Sequence, residues 1–260
     1  MHELQPHSPR ALPTYLTVAS SLATQAVEGK AGLLRVEWTT EAGGEGMVSL
    51  ATRMVPRPSG PIGAVTCRAP WWGGPADGGA TGTKHGAWAP YTEAMLAARA
   101  AGAYCALLVD ADGVVVDGDR VTPVIWDADG RVRYPPPADG AVESVTVRMV
   151  LDELRETDGE GGVPRTAEAE AFTLEELLAA RQVVLLGSGV GVGRLASVDG
   201  VALSGSAGGE ADTAEGPSFF EVMSGCLARA RGKGWVDLRE WATQKVTADE
   251  LRAEQEQPRH

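Results

Sequence analysis

Long apolar runs are missing from this chain. The longest, such as Gln182-Val-Val-Leu-Leu-Gly187, are strand-sized, far short of the roughly 20 residues that a membrane-spanning helix needs. Positive charge is also scarce. Lysine and arginine number 23 against 35 aspartates and glutamates, for a net charge of −12, so the basic face of a nucleic-acid binder is excluded. Histidine is thin, and His2, His7 and His260 lie near the ends. Together with scattered cysteines they exclude a metal cluster. The three cysteines, Cys67, Cys105 and Cys226, are odd in number and widely spaced. Two sit in apolar runs, which points to reduced, buried thiols rather than disulfides. There is no G-x-S-x-G elbow and no serine–histidine pair at a useful spacing. The polar start Met1-His-Glu-Leu-Gln-Pro6 shows no basic stretch followed by an apolar one. No secretory signal is visible there, and a cytoplasmic protein is expected.

The chain has 260 residues, 43% of them apolar, enough for one large domain or two small ones. Leu16, Ala19, Ala23 and Val27 recur at helical spacing. Strands are expected at 32–40, 47–55 and 62–68, separated by Gly/Glu and Pro/Ser/Gly clusters. A glycine-rich connector follows at 69–83. Residues 91–101 are alanine-rich and read as a helix, with Pro90 near its first turn, where proline is tolerated. Asp110-Ala-Asp-Gly113 and Asp127-Ala-Asp-Gly130 each stand between β-branched runs, a hairpin signature because such turns need positive φ. These aspartates do not form an EF-hand: the spacing is wrong and no glutamate closes the loop.

Val147, Val150, Leu151 and Leu154 mark a helix beginning near Ser144. Thr173-Leu-Glu-Glu176 opens another with a capping box. The strand 182–186 runs into Gly187-Ser-Gly-Val-Gly-Val-Gly193, which fails the dinucleotide pattern G-x-G-x-x-G because position 192 is valine. Residues 204–217 read as a flexible loop. Phe219, Val222, Met223 and Cys226 suggest a last core helix. The tail from 236 is polar, with a further capping box at Thr247-Ala-Asp-Glu250.

Lys84, three residues after the end of the run Gly-Gly-Ala-Thr81, is one of few lysines in the chain. It is followed by the helix 91–101, the strand Cys105–Val109, the turn Asp110–Gly113 and a second strand ending at Asp117-Gly118. Later come Thr173 to Ser188 and Ala196-Ser-Val-Asp-Gly200. This order of pieces resembles the class IV aminotransferase family, the fold-type IV pyridoxal-phosphate enzymes. These include branched-chain aminotransferases, D-amino-acid aminotransferases and aminodeoxychorismate lyases. The resemblance covers roughly residues 30–200. It implies an α/β, two-domain fold like that of D-amino-acid aminotransferase, with a truncated small domain and connector at 1–82. A larger domain at 83–235 would carry the site, and a polar tail would fill 236–260.

The resemblance also implies roles. Lys84 matches the family's Schiff-base lysine, and a partly buried lysine suits that task because desolvation lowers its pKa. Asp117 stands where the family has a glutamate that keeps the pyridine nitrogen protonated; as a bare residue it reads equally well as part of an Asp-Gly turn. Thr146, at a helix start, and Ser188 with Gly189 match the two sides of the phosphate cup; Thr146 could instead simply cap its helix. Trp71, Trp72, Trp88 and Tyr91 could wall a pocket or fill a core, and His85 could neighbour the cofactor. The expected cofactor is pyridoxal 5'-phosphate, the partner a small amino-acid-like substrate, and the assembly a homodimer with the site between domains.

Several positions depart from the family pattern. The phosphate-binding arginine of the family's opening segment has no counterpart. Val121-Thr122 replaces a Ser-Asn pair, Val147 replaces an arginine with Arg148 one place late, and Ala87 replaces an asparagine. Each removes a polar contact to the cofactor. They motivate an alternative in which the fold has lost the cofactor and serves as a small-molecule binding protein or a cofactor-independent enzyme.

Overall fold

The structure is a computed structural model that describes residues 33–40, 46–53, 58–69, 89–157, 159–206 and 217–234. The helix expected at 12–27, the connector beyond 69, Lys84 and the tail from 236 lie outside the described residues. By internal contacts the chain forms two units, Met1–Pro56 with Gly234–His260, and Arg57–Lys233. In the first unit, β1 (Leu33–Thr40) and β2 (Gly46–Arg53) pair antiparallel from Leu33↔Arg53 to Thr40↔Gly46.

Among the described residues the second unit is built on a mixed sheet of nine strands. In chain order these are β3 (Ile62–Arg68), β4 (Cys105–Val109), β5 (Val115–Gly118), β6 (Thr122–Trp126), β7 (Val132–Tyr134), β8 (Ala167–Ala169), β9 (Gln182–Gly187), β10 (Gly191–Val198) and β11 (Val201–Ala202). Across the sheet they run β5-β4-β3-β10-β9-β6-β7-β8, with β11 attached to β10. Among the described residues four α-helices accompany them: α1 (Ala89–Ala100), α2 (Val145–Arg155), α3 (Leu174–Ala179) and α4 (Phe219–Gly234). The reading from sequence set the strand 62–68 with the small domain, ahead of a boundary at 82/83. In the structure β3 pairs parallel with both β4 and β10, and the contact-based units meet between Pro56 and Arg57.

The hairpin turns follow their chemistry. Asp110 Oδ1 accepts the amides of Asp112 and Val114, and Gly113 sits at φ 81°. Asp127 Oδ1 accepts the Arg131 amide, and Gly130 sits at φ 86°. An aspartate that fastens its own turn and a glycine that supplies positive φ are the two requirements of such a loop. The glycine-rich stretch after β9 is a third hairpin: β9 and β10 pair antiparallel, Gly187 opposite Gly191. A dinucleotide loop would instead lead from a strand into a helix.

Alternation along the strands fills both faces of the sheet. Val183 and Leu185 of β9 join Ile62, Leu107, Ile125 and Phe172 on one side. Val184 and Leu186 join the opposite side, where Val147, Val150, Leu151 and Leu154 of α2 meet Phe219, Val222, Met223 and Cys226 of α4. Both helices thus present the periodic faces expected from their sequences. Farther along the sheet, Tyr91, Ala94 and Ala98 of α1 pack on Ala106, Leu108 and Val116. Small residues on α1 let the helix backbone approach the sheet closely. Caps fix the helix starts. Ser144 Oγ accepts the Val147 amide at 3.3 Å, Thr173 and Glu176 form the expected capping box, and Ser218 with Glu221 forms another before α4.

Charges brace the far edge. Arg133, 3% exposed, pairs with Asp127 at 2.9 Å and Glu176 at 2.8 Å, and with Glu170 at 3.4 Å. Its guanidinium lies 5.8 Å from the centre of the Phe172 ring. Glu153 of α2, also buried, meets Lys233 of α4 at 2.6 Å. Removing one member of a buried ion pair leaves an uncompensated charge. Arg133→Leu is therefore expected to lower unfolding stability by about 3 kcal/mol in urea titrations. Glu170→Gln, at the half-exposed rim of the same network, should cost less than about 1 kcal/mol.

Cys105 and Cys226 are buried and Cys67 half-buried, all as free thiols. Burial, reinforced by Asp119, pushes the Cys105 thiol up to about 12. Burial and then the charges of Asp119 and Asp199 also raise Cys67. The thiolate is the reactive form. Native protein at neutral pH should accordingly label slowly at Cys67 and not at the other two with a disulfide reagent, and all three should label in denaturant.

Candidate functional site

Asp117 lies in β5, opposite Leu108 of β4, and is 2% exposed. It is therefore a strand residue and not a turn residue. The glycine after it has a different task from the one its dipeptide suggests. A Cβ built on Gly118 would lie 2.4 Å from the Val121 carbonyl oxygen, so only glycine lets the chain double back toward β6.

The Asp117 carboxylate is fastened through Oδ2, which accepts the Val142 amide at 2.9 Å. Val142 stands two residues before Ser144, the residue that caps α2. One hydrogen bond thus ties the end of β5 to the start of that helix. Tyr91, 2% exposed on α1, feels the same carboxylate: burial first, and then the Asp117 charge, raise its phenol. Tyr91 therefore stays protonated beside an acidic neighbour.

The first turn of α2 carries Thr146, buried at 6% exposure, with its hydroxyl 3.4 Å from that of Ser188. Ser188 sits in the β9–β10 turn, and Gly189 follows it half-buried. The residue that caps α2 is Ser144, which leaves the Thr146 hydroxyl available for other work. The amides of Val145 and Thr146 belong to the first turn, where no intrahelical carbonyl reaches them. Two hydroxyls, helix-start amides and the dipole at this end make a surface suited to an anion.

The structure therefore brings Asp117, Thr146, Ser188 and Gly189 into one connected region, linked through Val142 and the start of α2. Lys84, His85, Trp71, Trp72 and Trp88 lie outside the described residues. Tyr91 belongs to the core beneath α1. Its spacing with Ala94 and Ala98 carried that signal in the sequence.

Other residues escaped the sequence reading. Asp119 is buried, its Oδ1 accepts the Ala106 amide at 3.3 Å, and Arg120 Nε lies 3.8 Å from its other oxygen. Burial raises the Asp119 carboxyl, against the lowering influence of Arg120 and of the backbone amides. Arg120 also donates to the Tyr104 carbonyl and lies over the Tyr104 ring. The Val142 amide could not be found from sequence, because a backbone donor has no residue identity. Val147, where the family pattern has an arginine, is 4% exposed in the α2–α4 core. A charge there would be buried without a partner. Among the described residues no group of three or more metal-ligating side chains occurs, and no helix is long and apolar enough to cross a membrane.

Comparison with known proteins gives a consistent result. The sequence pattern of the family described as amino-transferase class IV matches residues 9–198. No curated protein matches the chain. Among solved structures, an aminotransferase of Mycobacterium tuberculosis described as hypothetical, in its apo form, superposes with a TM-score of 0.67 at 22% identity, covering 88% of this chain and 78% of that one. A fold IV transaminase from Curtobacterium pusillum gives 0.63 at 20% identity, covering 86% and 73%. The branched-chain amino acid aminotransferase of Escherichia coli gives 0.58 at 18% identity, covering 76% and 66%. At these identities the likeness is one of fold.

Replacing Gly118 by alanine tests the tight return after Asp117. A methyl group meeting a backbone carbonyl forces the chain to move. Gly118→Ala should cost roughly 1–3 kcal/mol, seen as a drop of several degrees in melting temperature. Gly102→Ala, where nothing stands within 4 Å of the added methyl, measures the positive-φ contribution alone.

Proposed function

This chain belongs to the class IV aminotransferase family, and on that premise we propose that it is a pyridoxal-phosphate enzyme, an aminotransferase or lyase acting on an amino-acid-like small molecule. The observation that carries this reading is the joining of a buried, amide-fastened carboxylate, Asp117, to a helix start bearing the paired Thr146 and Ser188 hydroxyls.

The residues present fit the cofactor at both ends. The hydroxyls of Thr146 and Ser188, with the amides at the start of α2 and around Gly189, offer donors to a phosphate ester. Asp117 offers a buried carboxylate to a protonated ring nitrogen. The Val142 amide holds that carboxylate in place. When bound, the cofactor supplies an electron sink for carbanion chemistry at the substrate α-carbon.

The chain's own groups do the rest. Lys84 is the amine that would hold the cofactor covalently and, once released, take the proton from the substrate α-carbon through its Nζ. Asp117 keeps a proton on the ring nitrogen. Aspartate is one methylene shorter than the family's glutamate, so the hydrogen bond from Val142 matters more here, because it sets how far the carboxylate can reach. Tyr91, raised by burial and by the Asp117 charge, remains a neutral phenol. By the same resemblance we place the protein as a homodimer in the cytoplasm.

The test is spectroscopic. Purified protein mixed with pyridoxal 5'-phosphate should develop the absorption of covalently bound cofactor, and Lys84→Ala should abolish it. Thr146→Ala with Ser188→Ala should weaken cofactor affinity roughly tenfold or more, since hydrogen bonds to a charged group are worth about 1.5–3 kcal/mol each. Protein that stays colourless with added cofactor would turn the assignment to the alternative, a fold that binds a small molecule without it. The core position of Val147 favours that second reading, because it removes one cation from the phosphate side.

A further inference from the structure

A cleft of about 150 Å³ opens on the side of α2 away from the Thr146–Ser188 pair, and neither of those residues lines it. Its base is Thr122, 5% exposed. Thr122 is the first residue of β6, and its alternate neighbours Val124 and Trp126 belong to the α2 face of the sheet. Period-two alternation therefore points the Thr122 hydroxyl to that face. The hydroxyl makes no hydrogen bond among the described residues, although the residue is nearly fully buried. Its oxygen is not sealed in the core, so a ligand that enters the cleft can reach it.

The charges around the mouth are sorted by their commitments. Asp152 and Arg155 hold each other at 2.5 Å. Arg148 and Glu143 also line the cleft, and among the described residues neither makes an ion pair. What remains uncommitted is therefore one cation and one anion, beside the positive end of α2. Tyr134 adds a phenol on one side, while Val147 and Leu151 supply apolar wall. A simple anion would meet Glu143, and a simple cation would meet Arg148. A dipolar ligand satisfies both.

We propose that this cleft binds a small α-amino acid as its zwitterion. The carboxylate takes Arg148, and the ammonium takes Glu143. Thr122 and Tyr134 complete its hydrogen bonds, and a short aliphatic side chain lies on Val147 and Leu151. A cavity of about 150 Å³ admits a molecule of benzene's size, and the open mouth accommodates a slightly larger one. The proposal does not rest on the cofactor assignment, because Asp117, Thr146, Ser188 and Gly189 do not line the cleft.

The test is calorimetric titration of full-length protein, free of pyridoxal phosphate, with L-valine. Isobutyrate and isobutylamine serve as the singly charged controls. Saturable one-site binding of L-valine is expected, with both controls at least tenfold weaker. Arg148→Gln and Glu143→Gln should each weaken L-valine roughly tenfold, the loss of one charge-assisted hydrogen bond. Thr122→Val keeps the shape and should weaken it severalfold, with thermal melts confirming that each variant is folded. Absence of saturable binding, equal binding of a control, or unchanged affinity in Arg148→Gln and Thr122→Val would overturn the site. Because no cofactor is present, a colourless protein in the spectroscopic experiment leaves this outcome unaffected, and a failure here leaves that spectrum unaffected.

Discussion

One buried carboxylate ties together the candidate site of this molecule. Asp117 has lost almost all contact with solvent, and a charge in that position must be met by donors. The Val142 amide meets it. That single hydrogen bond joins the end of β5 to the loop that feeds α2, and so fixes where the first turn of α2 begins. The Thr146 hydroxyl then reaches Ser188 because the β9–β10 turn is held by its own place in the middle of the sheet. Each of these positions would be loose on its own. Linked through Val142 they form one surface, with a negative group at one end and anion-binding groups at the other.

Sheet and helices share the load differently along the structure. Where α1 covers the sheet, alanines allow a close approach and the contacts are apolar. Where β7, β8 and α3 meet, packing is thinner and charge takes over: Arg133 gathers three carboxylates around itself, and Phe172 lies beneath. Between α2 and α4 both devices act, an apolar seam with Glu153 and Lys233 at its edge. The valine at 147 belongs to that seam. Its departure from the family pattern is accounted for by packing, and the nearest arginine, at 148, is turned outward.

Much of this was legible in the residues. Period-two and helical spacing gave the strands and helices of the second unit, and Asp–Gly turns gave the hairpins, because those signals are local. The capping box at 173–176 was equally plain, whereas the cap of α2 is Ser144 and not Thr146, the candidate that the sequence offered. Other features were not local. The membership of β3 in the large sheet depends on pairing with β4 and β10, tens of residues away or more, and no spacing within 62–68 announces it. The strand β8 is three residues long and half-exposed, too short for periodicity to show. Asp117-Gly118 looks like a turn by composition; a backbone collision at Val121 makes it a strand end. The partner of Asp117 is a main-chain amide, which leaves no trace in composition. Asp119 and Arg120 were passed over because a charged pair usually lies on the surface.

The central position of β9 has a kinetic consequence. Its side chains enter the cores on both faces, and its backbone is laddered to β6 on one side and β10 on the other. Opening that strand locally would uncover two cores at once, so it can separate only when the whole unit unfolds. The turn that carries Ser188 is hinged on the least mobile part of the sheet. Any molecule bound at Ser188 would therefore rest against the β9–β10 hairpin as a fixed wall.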